Sequence, residues 1–394
     1  MVLEESLETE SPDTAGPLDA ADILARVRAL RPALQARGEE IDALRRIPDD
    51  LVEALRHTGV LRMMAPRAWG GPELSPVEAN VVLEELALGN AAVAWCAMIQ
   101  MDGGLYGGWL QREAARQVLP RLDMGMSNVI RPQGRARRVD GGVVASGRWT
   151  FASGCLHADW FAGGCLLVGD DGETLLQGEA GQPLHRMVLV RREQLRIHDT
   201  WHTTGLRGTG SHDVEIEALF VPDRHLFSFD APVLDGPYYR WPAILCSKMP
   251  GVALGIARSA VETTQAALRA RGEAAPQLGL ALADARTLYA AARAYVHDTL
   301  ETLWSRLCRG EQPNEQERAD VVLARAHAFQ ASRSAVQLMY DALGASAIYA
   351  RQSPLDRHLR DINTACQHVM AQRKAQQAAG LLLLGVPGES FGFL

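Results

Sequence analysis

The sequence predicts an α+β protein with an N-terminal all-α domain, a small antiparallel β-domain in the middle and a C-terminal four-helix bundle. Apolar residues recur at helical spacing towards both ends of the chain, whereas the middle consists of short runs bounded by Gly or Asp. The chain of 394 residues is also long enough for two or three domains with sizeable cores. We expect a disordered leader at 1–19, a helical domain at 20–124, a β-domain at 125–232 and the bundle at 233–394.

The N-terminal helices are predicted from apolar periodicity and from start signals. Ser75 followed by Pro76 is a typical helix start, with proline at the first helical position. Gly70-Gly71-Pro72 indicates a turn before it. The predicted helices are Ala20–Arg37, Pro48–Thr58, Ser75–Leu88 and Asn90–Met101.

The middle part shows the turn signals of antiparallel hairpins. Asp140-Gly141-Gly142 interrupts one β-like run, and Asp170-Asp171-Gly172 follows another. Four or more short strands at this spacing favour a small β-domain. The β-like runs are Arg138–Arg148, Trp160–Val168, Met187–Arg191 and Val214–Val221.

The C-terminal part contains four long helical segments with short joints, which predict an up-down bundle. The apolar tail Leu381–Leu384 is too short to span a membrane, so we expect it to pack on a neighbouring protomer. This predicts a homo-oligomer, a tetramer or at least a dimer. The four segments are Trp241–Arg271, Leu278–Arg309, Glu315–Leu343 and Ser353–Ala379.

Composition and missing motifs argue against several functional classes. Forty Lys and Arg against 47 Asp and Glu give a net charge of −7, which argues against partners such as nucleic acid or an anionic membrane. No secretory signal is visible in Met1–Ala20, so we expect a cytoplasmic protein. Six cysteines without a C-x-x-C pair argue against a zinc site or a disulfide framework. Metalloprotease, P-loop and nucleophile-elbow motifs are absent from the sequence.

Two polar motifs remain ambiguous on spacing alone. Gly205–Gly210 contains G-x-G, but a strand pattern follows it, so a glycine-rich turn is favoured over a dinucleotide fingerprint. His198 and His202 lie in a predicted loop, and we expect no metal there.

A third polar cluster lies near the C-terminus and contains Asp356, Arg360, Asp361 and His368. A solvated helix face with i,i+4 pairs such as Asp356–Arg360 explains it without any function. On a continuous helix Asp361 and His368 would share a face but lie about 10 Å apart, so an Asp–His couple is not required.

Several strings in this order resemble the acyl-CoA dehydrogenase superfamily, and look closest to its two-component, reduced-flavin-dependent monooxygenases (group D flavin hydroxylases). The resemblance implies the acyl-CoA dehydrogenase-like fold over roughly residues 20–385. The strings are Trp69-Gly-Gly-Pro72, Glu84-Glu85-Leu86, Ala94-Trp95, Gly147-Arg-Trp-Thr-Phe-Ala-Ser-Gly-Cys155, Asp199-Thr-Trp-His-Thr-Thr-Gly-Leu-Arg-Gly-Thr-Gly-Ser-His-Asp213, Phe220-Val-Pro222, Ser353-Pro-Leu-Asp-Arg-His-Leu-Arg-Asp-Ile362 and Gln367-His368.

The resemblance implies a flavin held between the β-domain and the bundle. Trp149 and Phe151 would supply an apolar wall along the isoalloxazine, and Ser153 a hydroxyl near its N5. A buried strand aromatic is the other interpretation of Trp149. Ser127 and Asn128 fall where the family places ligands of the flavin pyrimidine.

Further roles follow from the same resemblance. Arg207 and Ser211 would position the loop that borders the flavin or a subunit interface. Trp95 and Tyr106 would line the substrate pocket, whereas Met98 is better interpreted as helix core.

The choice between dehydrogenase and hydroxylase depends on two positions. Acyl-CoA dehydrogenases use a glutamate base, but the positions where we expect it hold Gln352 and the carboxylate-free segment 244–252. In the hydroxylases a histidine stands where His368 stands, facing flavin C4a. We expect its pKa to lie near neutrality, so that it donates to the distal oxygen and helps to deprotonate the substrate. His368 and Ser153 are therefore the predicted catalytic residues.

The function implied is that of an enzyme, the oxygenase component of a monooxygenase. It would use reduced flavin and O₂, through a C4a-hydroperoxide, to hydroxylate or heteroatom-oxygenate a small aromatic or natural-product substrate. The flavin would be diffusible FMN or FAD, because the Arg-x-x-Phe-Gly string of FAD-binding relatives is missing from Arg269–Leu280. A separate NAD(P)H:flavin reductase would supply it. An acyl-CoA dehydrogenase with a displaced base and a non-catalytic family member are the alternatives.

Overall fold

A computed structural model describes residues 18–179, 181–272, 275–350 and 352–386. Residues 1–17 of the predicted leader lie outside this range. The N-terminal domain is helical, as predicted. Its α-helices are α1 (Ala20–Ala36), α2 (Gly38–Leu44), α3 (Asp49–Thr58), α4 (Pro76–Gly89), α5 (Ala91–Gln100), α6 (Asp102–Tyr106) and α7 (Arg112–Val118), with 3₁₀ helices at Val60–Arg62, Arg67–Trp69 and Gly107–Trp109.

Side-chain caps define where α1, α4 and α5 begin. Ser75 and Glu78 form a reciprocal capping box at the start of α4, where Pro76 occupies the first helical position. Asn90 caps α5 by accepting hydrogen bonds from the Ala92 and Val93 amides. The helix starts predicted from the sequence at these two places are confirmed. They could be predicted because a capping signal lies within a few residues of the helix start.

A seven-stranded sheet forms the middle of the molecule, with the strand order β5-β6-β2-β1-β3-β4-β7. The predicted hairpin at Asp140-Gly141 is confirmed and joins β1 to β2, with Gly141 at φ +72°. The strands are β1 (Met126–Val139), β2 (Gly142–Trp149), β3 (Trp160–Val168), β4 (His185–Arg191), β5 (Arg196–His198), β6 (Asp213–Pro222) and β7 (Leu226–Phe227), with 3₁₀ helices at Arg192–Gln194, Arg207–Thr209 and Asp223–His225.

The sheet is mainly antiparallel, as predicted, but it contains one parallel pair that the sequence did not predict. β1 pairs with β3 in parallel, from Met126 opposite Trp160 onwards. In the sequence β2 lies between these two strands, and it pairs with one edge of β1. The long 150–159 turn then leads the chain to the opposite edge of β1, where β3 pairs. Hairpin signals are local and predict only neighbours, so they could not report this pair.

The C-terminal domain is helical, also as predicted. Its helices are α8 (Pro237–Arg240), α9 (Pro250–Arg271), α10 (Pro276–Cys308), α11 (Glu315–Leu343), α12 (Leu355–Ala365) and α13 (Arg373–Leu383), with 3₁₀ helices at Pro242–Lys248, Gly344–Ile348 and Val369–Ala371.

The predicted fourth long helix is broken, which corrects the expectation of a continuous segment. α12 ends at Ala365, and His368 has an extended backbone (φ −61°, ψ 133°) before the next 3₁₀ turn. The His368 Nδ1 atom accepts a hydrogen bond from the Met370 amide at 3.2 Å, so this side chain caps a new turn instead of continuing the old one. Asp361 and His368 therefore do not share a helix face.

Close packing of α4 on α9 joins the N- and C-terminal domains. A Cβ atom on Gly255 would lie 2.4 Å from the Glu84 carbonyl oxygen, so only glycine allows this approach. The buried Glu84 carboxylate accepts hydrogen bonds from Tyr289 at 2.5 Å and from Arg293 at 2.8 Å, both on α10. Buried carboxylates need such partners, and these fix the relative position of the two domains.

One segment, Pro242–Arg271, is long and apolar enough to cross a membrane by length and composition. Its most apolar window is 89% buried inside the protein, as in the core helix of a soluble protein.

Candidate active site

Two loops of the β-domain pack against each other beside α5. The turn after β2 (residues 150–158) donates from the Gly154 amide to the Thr209 carbonyl at 2.9 Å and from the Ala152 amide to the His212 carbonyl at 3.1 Å. Gln100 of α5 donates to the Gly154 carbonyl at 3.1 Å. The three segments are therefore held in one arrangement by buried backbone hydrogen bonds.

A chain of hydroxyl groups crosses the junction of these loops. The Trp95 indole Nε1 donates to Ser153 Oγ at 3.2 Å. Ser153 Oγ lies 2.7 Å from Ser211 Oγ, which lies 2.7 Å from Thr209 Oγ1. Thr209 Oγ1 donates to the Leu206 carbonyl at 2.8 Å. Ser153 and Ser211 were predicted as site residues, and the structure brings them into direct contact.

Asp361 holds the end of this chain in place. Its Oδ1 atom accepts from the Leu206 amide at 2.6 Å, where Leu206 adopts a left-handed backbone (φ +49°). Burial raises the pKa of Asp361 to about 7. The predicted Asp356–Arg360 pair is present at 2.8 Å, but the buried Asp361 belongs to the loop contact and not to a solvated face.

His368 also contacts Trp95. The two rings meet edge to face with centroids 5.7 Å apart. Because Nδ1 accepts from the Met370 amide, the neutral ring carries its proton on Nε2, which is left as a donor. Burial and, secondarily, the charge of Arg325 lower the pKa of His368 to about 4. This pKa differs from the expected value near neutrality: at pH 7 the imidazole is neutral, Nε2–H is a donor and the Nδ1 lone pair is occupied by the Met370 amide, so the ring is a poor base.

The structure separates the two predicted wall residues. The Trp149 ring is fully buried in the core of the β-domain, where Nε1 donates to the Gly164 carbonyl at 2.8 Å and the ring meets Phe161. The prediction that Trp149 faces a flavin is therefore wrong, and the buried-aromatic interpretation holds. Phe151, by contrast, is 68% exposed and has φ +65°, so its ring points away from the core.

Ser127 and Asn128 lie at the start of β1, next to α5 and α6. The Ser127 hydroxyl is buried and has no hydrogen-bond partner among the described residues. Asn128 Nδ2 donates to Asp102 at 3.2 Å, and Asp102 forms a buried ion pair with Lys248. The Asn128 Nδ2 atom is thus already used within the protein, whereas the Ser127 hydroxyl has no partner among the described residues.

Tyr106 and Met98 are both buried in the helical domain. Tyr106 packs among Trp109, Phe227 and Phe229, with ring centroids 5.3–6.4 Å away. Its buried hydroxyl has no partner among the described residues. Met98 is core, as expected.

Arg207 anchors the loop that carries Thr209 and Ser211. Its Nε donates to the Asp42 carbonyl and its Nη1 to the Thr203 carbonyl, both at 3.1 Å. It also lines a surface cleft of about 450 Å³ between α2 and α12. The other residues of this cleft are Glu39, Asp42, Ala43, Thr204, Ala350, Ser353, Arg357 and Arg360.

Sequence reasoning missed Thr209 and Arg325. Thr209 lies in Gly205–Gly210, which the sequence predicts to be a glycine-rich turn. Its hydroxyl joins the hydroxyl chain only because the two loops meet in the folded protein. Arg325 is 2% exposed, and its Nε donates to the Met370 carbonyl at 3.1 Å. Its Nη2 has no partner among the described residues. An arginine between apolar Val322 and Ala326 on α11 was the available signal.

Histidine spacing predicts no metal site, and the described part of the chain contains no group of three His, Cys, Asp or Glu side chains able to hold a metal ion. His198 Nε2 is 2.6 Å from Glu215 instead.

Comparison with known families identifies the fold. The acyl-CoA dehydrogenase N-terminal domain matches residues 22–123, and the acyl-CoA dehydrogenase C-terminal domain matches residues 249–373. Together these matches cover more than half of the chain, which therefore belongs to the acyl-CoA dehydrogenase family.

Individual relatives narrow the class. The indole-3-acetate monooxygenase of Acinetobacter baumannii is 29% identical over 392 residues, 96% of each chain. The oxygenase subunit HsaA of a flavin-dependent monooxygenase from Rhodococcus jostii is 31% identical and covers 87% of this chain and 93% of its own. The crystal structure of 3-HSA hydroxylase from Rhodococcus sp. RHA1 superposes with a TM-score of 0.85 at 28% identity, over 93% of this chain and 97% of that one. This chain is a flavin-dependent monooxygenase of the two-component type, which confirms the resemblance seen in the sequence.

Proposed function

We propose that reduced flavin binds where the 150–158 turn, α5 and the segment around His368 meet, and that the enzyme there transfers oxygen to an aromatic substrate. The observation that carries the proposal is the position of Trp95. One indole ring contacts both Ser153 and His368, the two residues to which the family resemblance assigns catalysis.

The residues present fit a flavin. The Ser127 hydroxyl is buried without a hydrogen-bond partner among the described residues. A buried unpaired hydroxyl costs free energy unless a ligand supplies the missing hydrogen bond. Phe151 offers an exposed aromatic ring beside the same turn, and Ser153 has one lone pair that is not used by the protein. Ser127, Phe151 and Ser153 would hold the isoalloxazine, while Arg207 and Ser211 position the loop.

Reduced flavin supplies the electrons that activate O₂. The role of His368 is to donate a hydrogen bond from neutral Nε2 to the oxygen that is being activated. Trp95 packs edge to face against the imidazole and would shield that side of it from water, which would limit the release of peroxide. Because Nδ1 is occupied by the Met370 amide, the ring keeps this donor orientation.

We propose a small aromatic molecule as the substrate, with Trp95 and Tyr106 lining its site. The support is the function of two relatives, an indole-3-acetate monooxygenase and the oxygenase component of a p-hydroxyphenylacetate 3-hydroxylase. The unpaired Tyr106 hydroxyl would then hydrogen-bond a polar group of the substrate.

The proposed assembly is a cytoplasmic homotetramer served by a separate NAD(P)H:flavin reductase. Leu384 is 76% exposed and Leu383 44% exposed at the end of α13, an apolar surface that a second copy would cover. Light scattering at micromolar concentration tests this, and a monomer would contradict it.

Oxygen consumption tests the function. The purified protein with FMN or FAD should consume O₂ when dithionite or a reductase supplies electrons, and should be stabilised against heat by reduced flavin. Oxidation of NADH by the purified protein and flavin alone would contradict the two-component assignment. Bleaching of tightly bound FAD by an acyl-CoA would instead support the dehydrogenase alternative, and absence of any flavin-dependent stabilisation a non-catalytic member.

A further inference from the structure

The chain of hydroxyl groups from Trp95 to Leu206 begins at a group that can only donate a hydrogen bond and ends at a group that can only accept one. The Trp95 indole nitrogen carries a proton and can only donate, and the Leu206 carbonyl oxygen can only accept. Between them lie the hydroxyls of Ser153, Ser211 and Thr209, each with one proton. A chain with a fixed donor at one end and a fixed acceptor at the other has a defined direction.

The direction follows from counting protons. A contact of 2.8 Å between two oxygens needs a proton, so Thr209 gives its proton to the Leu206 carbonyl. The 2.7 Å contact between Thr209 and Ser211 must then use the proton of Ser211. The 2.7 Å contact between Ser211 and Ser153 must in turn use the proton of Ser153.

Ser153 is therefore left with acceptor capacity only. Its Oγ accepts from Trp95 and donates to Ser211, which leaves one lone pair for a further partner. That partner must bring its own proton. Reduced flavin carries N–H at N5, whereas oxidised flavin presents only a lone pair there.

We propose that Ser211 and Thr209 are positioning residues that make the Ser153 hydroxyl an obligate acceptor, so that the site discriminates in favour of reduced flavin over oxidised flavin at N5. This inference rests on the proposed flavin site. It assigns redox selectivity to two side chains that act through Ser153.

The acceptor end of the chain is held rigidly. The Leu206 carbonyl also receives the Trp201 indole Nε1 at 3.0 Å, and the Leu206 amide is held by Asp361 at 2.6 Å. Leu206, Thr209 and Ser211 are all buried. Water therefore cannot easily supply an alternative proton that would reverse the chain.

The test compares dissociation constants for oxidised and reduced FMN, and for FAD in parallel, measured anaerobically by equilibrium dialysis. Ser211→Ala releases the Ser153 proton, which can then turn towards oxidised N5. We expect the ratio of the oxidised to the reduced constant to fall about fivefold, the effect of one neutral hydrogen bond. In Thr209→Val the Ser211 hydroxyl loses its acceptor and would donate to Ser153 instead. The Ser153 proton would again be free to turn towards oxidised N5, so the ratio should fall by a similar factor.

Two controls separate this effect from a general loosening of the loop. Thr209→Ser keeps the hydroxyl and should restore the parent ratio. In a Ser153→Ala background, Ser211→Ala should leave the ratio unchanged, because the residue through which it acts is gone.

An unchanged ratio in both Ser211→Ala and Thr209→Val would overturn the inference while leaving the flavin site intact. An equal effect of Ser211→Ala with and without Ser153 would also overturn it. Failure of the parent protein to bind flavin in either redox state would instead reject the proposed function and the inference with it.

Discussion

The rings of Trp95 and His368 meet edge to face with their centroids 5.7 Å apart, and this contact joins the helical domain to the break between α12 and α13. The same indole donates to Ser153 in the β-domain. All three parts of the chain therefore converge on one side chain, and Trp95 contacts both predicted catalytic residues.

Replacing His368 by alanine should divert turnover from product to hydrogen peroxide. The neutral imidazole donates one ordinary hydrogen bond, worth about 0.5–1.5 kcal/mol, so the partition should change roughly twofold to tenfold. Product formed per O₂ consumed is the measurement. His368→Gln, which keeps a donor, is the control. A His368→Ala variant that couples oxygen to product as well as the parent would reject the assignment.

Arg325 should act on His368 through its charge. Its positive charge contributes to the lowered pKa of His368, so Arg325→Met should raise that pKa, while burial should still keep it below the ordinary value of about 6.5. Titration of the His368 ring by NMR in the parent and the variant measures the change. A His368 pKa that stays the same or falls would show that the two side chains are not electrostatically coupled.

Local signals account for what the sequence could predict. The caps of α4 and the Asp140-Gly141 turn are encoded within four residues, so their positions follow directly. The position of the hydroxyl chain depends instead on two loops whose serines, Ser153 and Ser211, are 58 residues apart and meet only in the folded protein.

The break in the chain at His368 carries no local signal either. The segment from Thr364 to His368 contains neither Gly nor Pro, so helical periodicity runs through it. The turn is stabilised by the His368 side chain and by Arg325, which donates from another helix to the Met370 carbonyl. Tertiary contacts of this kind override helix propensity.

Trp149 and Phe151 should respond to substitution in opposite ways. Trp149→Phe removes a buried hydrogen bond to the Gly164 carbonyl and leaves a void, so it should lower the free energy of unfolding by about 2–3 kcal/mol with little effect on flavin binding. Phe151→Ala removes an exposed ring, so stability should change little while reduced flavin binds about fivefold more weakly. Urea unfolding and anaerobic flavin titration measure the two effects. If flavin affinity falls in Trp149→Phe but not in Phe151→Ala, Trp149 and not Phe151 would be the residue that packs along the isoalloxazine.

Stability should fall on acidification between about pH 6.5 and pH 4. Burial is the main cause that lowers the pKa of His157 and His368 to about 4 and that of His358 to about 3, whereas an unfolded histidine titrates near 6.5. The unfolded chain therefore binds more protons in this window, and each of these residues removes about 1.4 kcal/mol of unfolding free energy per pH unit.

Urea unfolding at pH 7, 6 and 5 measures this dependence, and His157→Phe isolates one contribution. Neither ring nitrogen of His157 has a partner among the described residues, so the substitution removes a titrating group without breaking a hydrogen bond there. The slope of unfolding free energy against pH should become shallower by about 1.4 kcal/mol per unit in the variant. A slope equal to that of the parent would mean that His157 titrates alike in the folded and unfolded chains, against the effect that its burial predicts.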